Sequence, residues 1–498
     1  MSFSDKRGLW DRLVWPFNPT TRRDAGSAVV ENFLLHALPN RVTLRSLAIG
    51  YSFYLGTITL TLFLLLAVTG LVLMFLYTPS VERAYGSIKD LEYAVSFGWF
   101  LRRVHRLSAH LMVAAVFLHM FRVFLTGAYK RGAVARSQRP FNWVLGVVLL
   151  VMTLLLSFNG YLLPWDQLGF WAITVGTDIA GAVPLIGEAI REFLLGGTQI
   201  GQATLIRFYV LHVGLLPMAV VAITAWHMWR IRKDGGLAVV EQVREEAAQQ
   251  PPPEPVKSKT YSVLGIAQGS TVHVRDRMLL NDGNSRPATP FLTARLLATV
   301  GLTLIVTSLL ALLVAAPLEE PANPLVTPNP AKAPWYFLGL QELVGYSALI
   351  GGVVVPGIVV LGLCTIPYLD REQHGIGRWF TDARGRRIGL IGALWGAAMV
   401  SLCIFVGVAF PMRELFASVE SQLFFDLVNP ATALLLSFVV LHVITHKLTG
   451  SSRQAAVATF CAFIVVFAVL TYTGTALRGP NWDFFFPWEA WPSHAIPY

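Results

Sequence analysis

GWFLRRVHRLSAHLMVAAVFLHMFR, Gly98 to Arg122, and RFYVLHVGLLPMAVVAITAWHMWR, Arg207 to Arg230, decide how this 498-residue chain is read. His105 and His119 lie 14 residues apart in the first stretch, and His212 and His227 lie 15 apart in the second. At about 1.5 Å rise per residue, each pair spans about 21 to 22 Å of helix. At about 100° per residue both spacings return to within roughly 40° to 60° of the starting face, so each helix presents its two imidazoles to one partner. A histidine inside an apolar span is costly unless buried in protein and bonded, and a single one is as readily a packing residue as a ligand. Two matched pairs point instead to two non-covalent b-type haems stacked between facing helices. His110, five residues from His105 and nine from His119, points to other faces and reads as packing or interfacial.

Glycine repeats the same period. Gly56 and Gly70 are 14 apart in one apolar stretch, and Gly146 and Gly160 are 14 apart in another. A flat macrocycle needs the neighbouring backbone to come close, which a residue without Cβ permits; glycine also packs membrane helices together, but not with this register. On this pattern His105 and His212 hold the outer haem iron, and His119 and His227 the inner one. Arg102 and Arg106 near His105, together with Arg207, are candidate partners for haem propionates, with snorkelling at the interface as their ordinary alternative.

Composition places the pairs in a membrane. Hydrophobic residues make up 54% of the chain, charged residues 14%, and mean hydropathy is +0.57. Nine stretches reach the length of about 20 residues needed to cross a bilayer. They run from Leu47 to Tyr77, Phe97 to Gly127, Phe141 to Leu163, Phe208 to Trp229, Phe291 to Ala316, Ala348 to Leu369, Ile388 to Phe410, Phe424 to His442 and Ala455 to Thr473. The predicted fold class is therefore all-α, a polytopic transmembrane helical bundle with a four-helix diheme bundle in its N-terminal half.

The net charge of +10 does not indicate nucleic acid, because the basic residues flank apolar segments. YKRGAVARSQRP, WRIRKDG, DREQHGIGRWFTDARGRR and HKLTGSSR follow the second, fourth, sixth and eighth stretches, which puts all four on one side, read as cytoplasmic. The N-terminus is then inside and the C-terminus outside, as in an integral protein of a bacterial inner membrane. Polar, basic residues open the chain and no cleavable signal peptide is expected. Cys364, Cys403 and Cys461 lie in apolar stretches without the spacing of a covalent haem, zinc or disulfide framework.

These features divide the chain into a cytoplasmic N-terminal segment (1–46), a diheme four-helix domain (47–235), a Pro- and Gln-rich cytoplasmic linker (236–290), a second domain (291–412) and an extension with two further spans (413–498).

From about Arg41 to Met412 the sequence resembles cytochrome b of the Rieske/cytochrome b quinol-oxidising complexes. The histidine and glycine pairs carry the resemblance, with GYLLPWDQLGFWAITV (Gly160 to Val175), GQATLIRFYVLH (Gly201 to His212) and PWYFLGLQE (Pro334 to Glu342). The 15-residue histidine spacing resembles the photosynthetic type, whose two halves are separate polypeptides; here they are fused. A cysteine that anchors an extra haem in those relatives corresponds to Tyr54, so no covalently attached extra haem is expected.

The resemblance implies quinol oxidation on the outer side, between the PWDQ region and a loop carrying a Pro-Glu-Trp-Tyr motif. One electron goes to a Rieske iron-sulfur protein and thence to a c-type cytochrome or equivalent acceptor; the other crosses through both haems to an inner quinone. It further implies proton translocation and a homodimeric complex. This chain departs at one position: Ala333-Pro334-Trp335-Tyr336 has proline where the family has the proton-accepting glutamate. A buried carboxylate is useful there because desolvation moves it towards neutrality. Glu342 and Asp166 are the candidates to replace it, with Trp335 and Tyr336 beside them; a salt-bridged Glu342 and a purely loop-holding Asp166 are the plainer alternatives. Arg230, Arg232, Lys233 and Asp234 are placed to shape an inner quinone site, or only to set orientation. His442 and His446 lack a third ligand and read as a polar helix end. A diheme anchor for a peripheral dehydrogenase also needs paired histidines but has no use for PWDQ or the rear half, and a transporter does not account for haem spacing.

Overall fold

The computed structural model describes residues 38–132, 137–234, 236–237 and 283–491. Residues 1–37 of the N-terminal segment and 238–282 of the expected linker lie outside the described residues. The longer helices, in chain order, are α1 Leu55–Met74, α2 Ala84–Tyr93, α3 Gly98–Leu125, α4 Arg139–Leu162, α5 Gln167–Gly181, α6 Gly187–Leu195 and α7 Gln202–Lys233 in the front half. The rear half holds α8 Ala288–Leu313, α9 Trp335–Tyr346, α10 Ile350–Leu369, α11 Ala383–Ala409, α12 Pro430–Thr449 and α13 Ser452–Leu477. Nine of these, α1, α3, α4, α7, α8 and α10 to α13, are long and apolar enough to span a membrane among the described residues. The protein is an integral membrane helical bundle.

The front half packs α1 against α3, α3 against α4 and α4 against α7. In the rear half α11 lies along α13, with α12 against both. That contact is close because Gly392 and Gly396 of α11 meet the backbone at Ala458 and Ala462 of α13, the small-residue packing that holds helices together in lipid. Strand β1, Arg41–Thr43, pairs antiparallel with β2, Ser285–Pro287, joining the entry of the front half to the entry of the rear half. This sheet, three residues a side, leaves the chain an all-α bundle as expected; strands that short with no alternating pattern carry little signal.

The α7 helix is not uniform. Leu211–Leu215, which contains His212, forms a π-helical turn. Pro217 has no backbone N–H to give the carbonyl of Val213, so the regular ladder is already interrupted there. A π turn takes up an extra residue, and the 15-residue spacing of the second histidine pair is accommodated at this point.

The four basic connections meet at one end of the bundle. Lys130 bonds the carbonyl of Glu372, the Gln138 amide donates to Asp234 (3.0 Å), and Arg453 donates to the carbonyls of Phe124 and Leu125. At the opposite end Arg102 reaches the carbonyls of Ala316 and Pro317, and Lys332 donates to Thr475 (2.9 Å).

Candidate cofactor and substrate sites

Each glycine of the sequence register faces one histidine. A Cβ at Gly70 would lie 3.2 Å from the His105 ring, at Gly56 3.3 Å from His119, at Gly146 3.7 Å from His227 and at Gly160 2.5 Å from His212. The clearance is against the imidazoles themselves, and it is tightest at Gly160. Gly160→Ala is therefore expected to displace His212 and lower outer-haem occupancy or shift its potential, whereas Gly146→Ala adds only an ordinary contact and leaves the inner haem unchanged. Redox titration of both variants checks the contrast, and equal behaviour would remove the steric argument.

The imidazoles are oriented for ligation. Thr69 gives its hydroxyl proton to the carbonyl of Leu65, so its oxygen receives the Nδ1–H of His105 at 2.8 Å. The Nδ1 atoms of His212 and His227 donate to the carbonyls of Leu156 (3.1 Å) and Asn142 (3.2 Å). A bonded Nδ1–H leaves Nε2 as the ligating nitrogen, the usual second-shell arrangement at a metal. The rings of His105 and His212 stand 6.3 Å apart, centre to centre. Two ring nitrogens bonding a shared metal at about 2 Å give roughly that separation, so the gap suits one iron between them.

His119 and His227 line one cavity with Gly146, Arg122, Arg139 and Asn142. Arg122 is buried, its Nε donates to the carbonyl of Tyr51 (3.0 Å), and its Nη2 has no hydrogen-bond partner among the described residues. A buried guanidinium with one donor unsatisfied fits an anionic group such as a propionate. This residue escaped the sequence reading, although it stands three residues after His119 as Arg102 stands three before His105.

Arg102 and Arg207, expected as propionate partners, make other contacts. Arg102 is buried, pairs with Glu92 (2.8 Å) and bonds two carbonyls of the segment after α8, while Arg207 holds the carbonyls of Glu192 and Phe193 at the end of α6. Arg102 thus spends both terminal nitrogens, and Arg207 its Nη1, on structural partners. Arg106 makes one long bond, 3.3 Å, to the carbonyl of Pro317.

A second cavity, about 250 Å³, opens at the other end of the bundle. Its walls are Phe158 and Tyr161 of α4, Trp171 and Ala172 of α5, and Pro334 and Phe337 at the start of α9. Gly160, which faces His212, lies between Phe158 and Tyr161 in sequence, so the cavity is less than a helical turn of α4 from the residue that packs on His212. Such an apolar cleft with few polar groups suits a flat hydrophobic ligand.

Asp166 is the N-cap of α5. Its carboxylate accepts from the amides of Gly169 (2.8 Å) and Glu319 (3.2 Å), and burial raises its proton affinity against the pull of those two bonds. It holds loop geometry. Tyr336 is buried with its ring 5.7 Å from that of His110, and Trp335 stacks edge-on against Tyr336; none of the three lines the cavity. Glu342 is 1% exposed and turned away from the cavity, ion-paired to Arg478. Glu342, expected to face a quinol site, does not line this cavity: the lining positions of α9 are 337, 340, 341 and 344, and position 342 falls on the opposite side.

Asp234 accepts from Arg230 (2.9 Å) and borders the inner cavity. Lys233 lies over the Trp229 ring. His442 Nδ1 contacts the Thr459 hydroxyl at 3.1 Å, and no cluster of three or more metal-ligating side chains occurs among the described residues.

Residues 42–235 match the family described as cytochrome b/b6/petB, and residues 321–380 match cytochrome b(C-terminal)/b6/petD. A cytochrome b6 of Synechococcus elongatus is 45% identical over 181 residues, 36% of this chain and 81% of that protein. A cytochrome b6 of Prochlorococcus marinus is 46% identical over the same length, 36% of this chain and 80% of that protein. The chain belongs to the cytochrome b/b6 family. It is thus a b-haem-binding electron-transfer subunit of a quinol-oxidising oxidoreductase complex. A solved structure named Hyperthermophilic respiratory Complex III covers 85% of this chain and 91% of its own, with TM-score 0.54 and 22% identity, a likeness of fold. The second family match ends at residue 380, so α11 to α13 lie beyond it.

Proposed function

We propose that this chain oxidises quinol in the outer cavity and carries one of its electrons across the membrane through two non-covalent b haems, with His105 and His212 at the outer iron and His119 and His227 at the inner. The observation that carries this reading is the apolar cleft between α4, α5 and α9, set beside His212 and its facing His105. Quinol loses two electrons and two protons to become quinone. A Rieske iron-sulfur protein, followed by a c-type cytochrome or equivalent acceptor, would take one electron, haems held by the two facing histidine pairs would supply the path for the other, and the electrons of two such oxidations, with two protons, would balance reduction of one quinone at the inner end.

Bound haem supplies the one-electron redox centres; the chain's part is to place and insulate them. Thr69, the Leu156 carbonyl and the Asn142 carbonyl fix three ligand rings. Arg122 and Arg139 present positive charge to the inner cavity, and Asp234 is the carboxylate at its edge. Pro334 and Phe337 exclude water from the outer cleft. With Glu342 turned away, the polar side chains of the cleft wall are Tyr161, Trp171, Lys332 and Gln341. Gln341 bridges Ala331 and Ala333, Trp171 donates to the Val326 carbonyl and Lys332 to the Thr475 carbonyl, so the Tyr161 hydroxyl is the group best placed to bond a quinol hydroxyl.

The excess of Lys and Arg in the connections at the inner-haem end supports reading that end as cytoplasmic and the C-terminus as outside; a bacterial inner membrane and a homodimeric complex complete the proposal. A diheme anchor without bifurcation has no use for the outer cleft.

Ala172→Phe tests the reading. A phenyl group projecting from α5 fills the cleft without touching either histidine pair, so quinol oxidation should fall at least about tenfold while both haem spectra persist. Unaltered turnover would move the quinol site elsewhere.

A further inference from the structure

The outer cleft has a wall that is held from behind. Residues Ala331 to Pro334 and, from α9, Phe337, Leu340, Gln341 and Val344 line the cleft, and on the reverse face Glu342 is buried against the chain that leaves α13. Arg478 Nε donates to Glu342 Oε2 at 2.9 Å and its Nη2 to Oε1, a two-pronged pair. The Trp482 indole N–H donates to Oε2 (3.1 Å) and the Tyr346 hydroxyl to Oε1 (3.3 Å). Four donors meet both carboxylate oxygens, and none of them comes from the cleft. Arg478 in turn donates to the Trp482 carbonyl at 2.9 Å, closing the loop on itself.

The same segment grips the wall at its other end. Lys332 Nζ donates to the Thr475 carbonyl (2.9 Å), and Asn329 and Asn481 exchange two bonds, 2.6 and 2.8 Å. Asn481 and Trp482 both adopt left-handed backbone, φ 57° and 63°, which brings the indole under Glu342. Such a conformation is unfavourable for a bulky side chain and persists when its surroundings fix it. A buried ion pair is a weak source of net stability, since apolar residues of similar size serve as well, but its two-pronged geometry defines position.

We infer that the segment after α13 is part of the outer quinol site, and that Arg478 and Glu342 are positioning residues that fix the α9 wall against which quinol binds. The inference rests on the outer cleft being the quinol site. Glu342 then acts through helix placement and not as the proton acceptor.

The test uses the full chain in its membrane complex, with a decyl-tailed benzoquinol as substrate and three variants: Arg478→Met, Arg478→Lys, and the apolar pair Glu342→Leu with Arg478→Met. Arg478→Met is expected to raise KM for the quinol about tenfold with kcat and haem spectra retained, the signature of lost ground-state fit. Arg478→Lys keeps the charge without the fork and should fall between. If Arg478→Met does not assemble, the apolar pair, which removes the uncompensated charge, carries the measurement; a raised KM with normal haem content supports positioning, and a parental KM overturns it as mere stability. Ala172→Phe separates the two levels. Its inactivity with a parental KM in every Arg478 variant overturns the inference alone, and its full activity overturns the cleft as the quinol site.

Discussion

Changing His119 and His227 together to leucine is expected to remove the inner b haem and leave the outer one. Reduced-minus-oxidised spectra and iron content should fall to about half, because each iron takes both protein ligands from one facing pair. Both positions are changed because a single remaining imidazole can retain a five-coordinate haem. Electron flow to the inner side should stop, while quinol still delivers one electron to the outer pair. His110→Leu is the control: its ring lies against Tyr336, not against a second histidine, and both haems should persist. Retention of two haems in the double variant would break the pairing of α3 with α7.

The pairing was legible because helix geometry converts a 14-residue spacing into one face, and the glycine register converts it again into four close approaches. The spacing of 15 was legible as a pair but not as a structure; the π turn at His212 depends on how the Pro217 interruption relaxes, which no residue count supplies. Span number followed from length and hydropathy alone. The joining of the four basic connections at one end followed from charge, although their partners, such as Lys130 with Asp370, are more than two hundred residues apart and had no local signal.

Glu342 shows where local reading stops. Helical position narrows a residue to a direction, but Gln341 and Glu342 differ by only about 100° and either one was able to face the cleft. The choice is made by Arg478, 136 residues later, in a part of the chain beyond the family matches. Arg102 and Arg122 make the same point in reverse. Each stands three residues from a haem-ligand candidate, yet Arg102 finds Glu92 and two carbonyls while Arg122 is left with a donor at the inner cavity.

The cytoplasmic-end cluster gives the other large expected effect. Asp370, 2% exposed, pairs with Lys130 at 3.0 Å, lies 3.7 Å from Arg453 and accepts from the Tyr129 hydroxyl. Glu372 is the other carboxylate nearby, and its oxygens are engaged by Ser451, Ser452 and the Arg453 amide. Asp370→Asn keeps the shape but leaves two buried cations without their shared counter-charge, a loss of about 3–5 kcal/mol. Removing one of those cations as well, with Lys130→Met, should recover most of it in a double-mutant cycle. The deficit is also expected to depend on pH. Burial, reinforced by Arg453, already pulls the Lys130 ammonium from its ordinary 10.5 down to about 8, against the support of Asp370. The native state thus binds fewer protons than the unfolded chain between those values, and stability rises with pH across that window. Without Asp370 the native value drops further, so the window opens lower and the variant gains on the parent as pH climbs towards 8. Unfolding followed through the inner-haem absorbance, which Tyr129 borders, should show a smaller difference at pH 8.5 than at pH 6.5. Equal stability of Asp370→Asn and parent at both values, or no recovery on adding Lys130→Met, would mean that the cluster does not depend on its carboxylate.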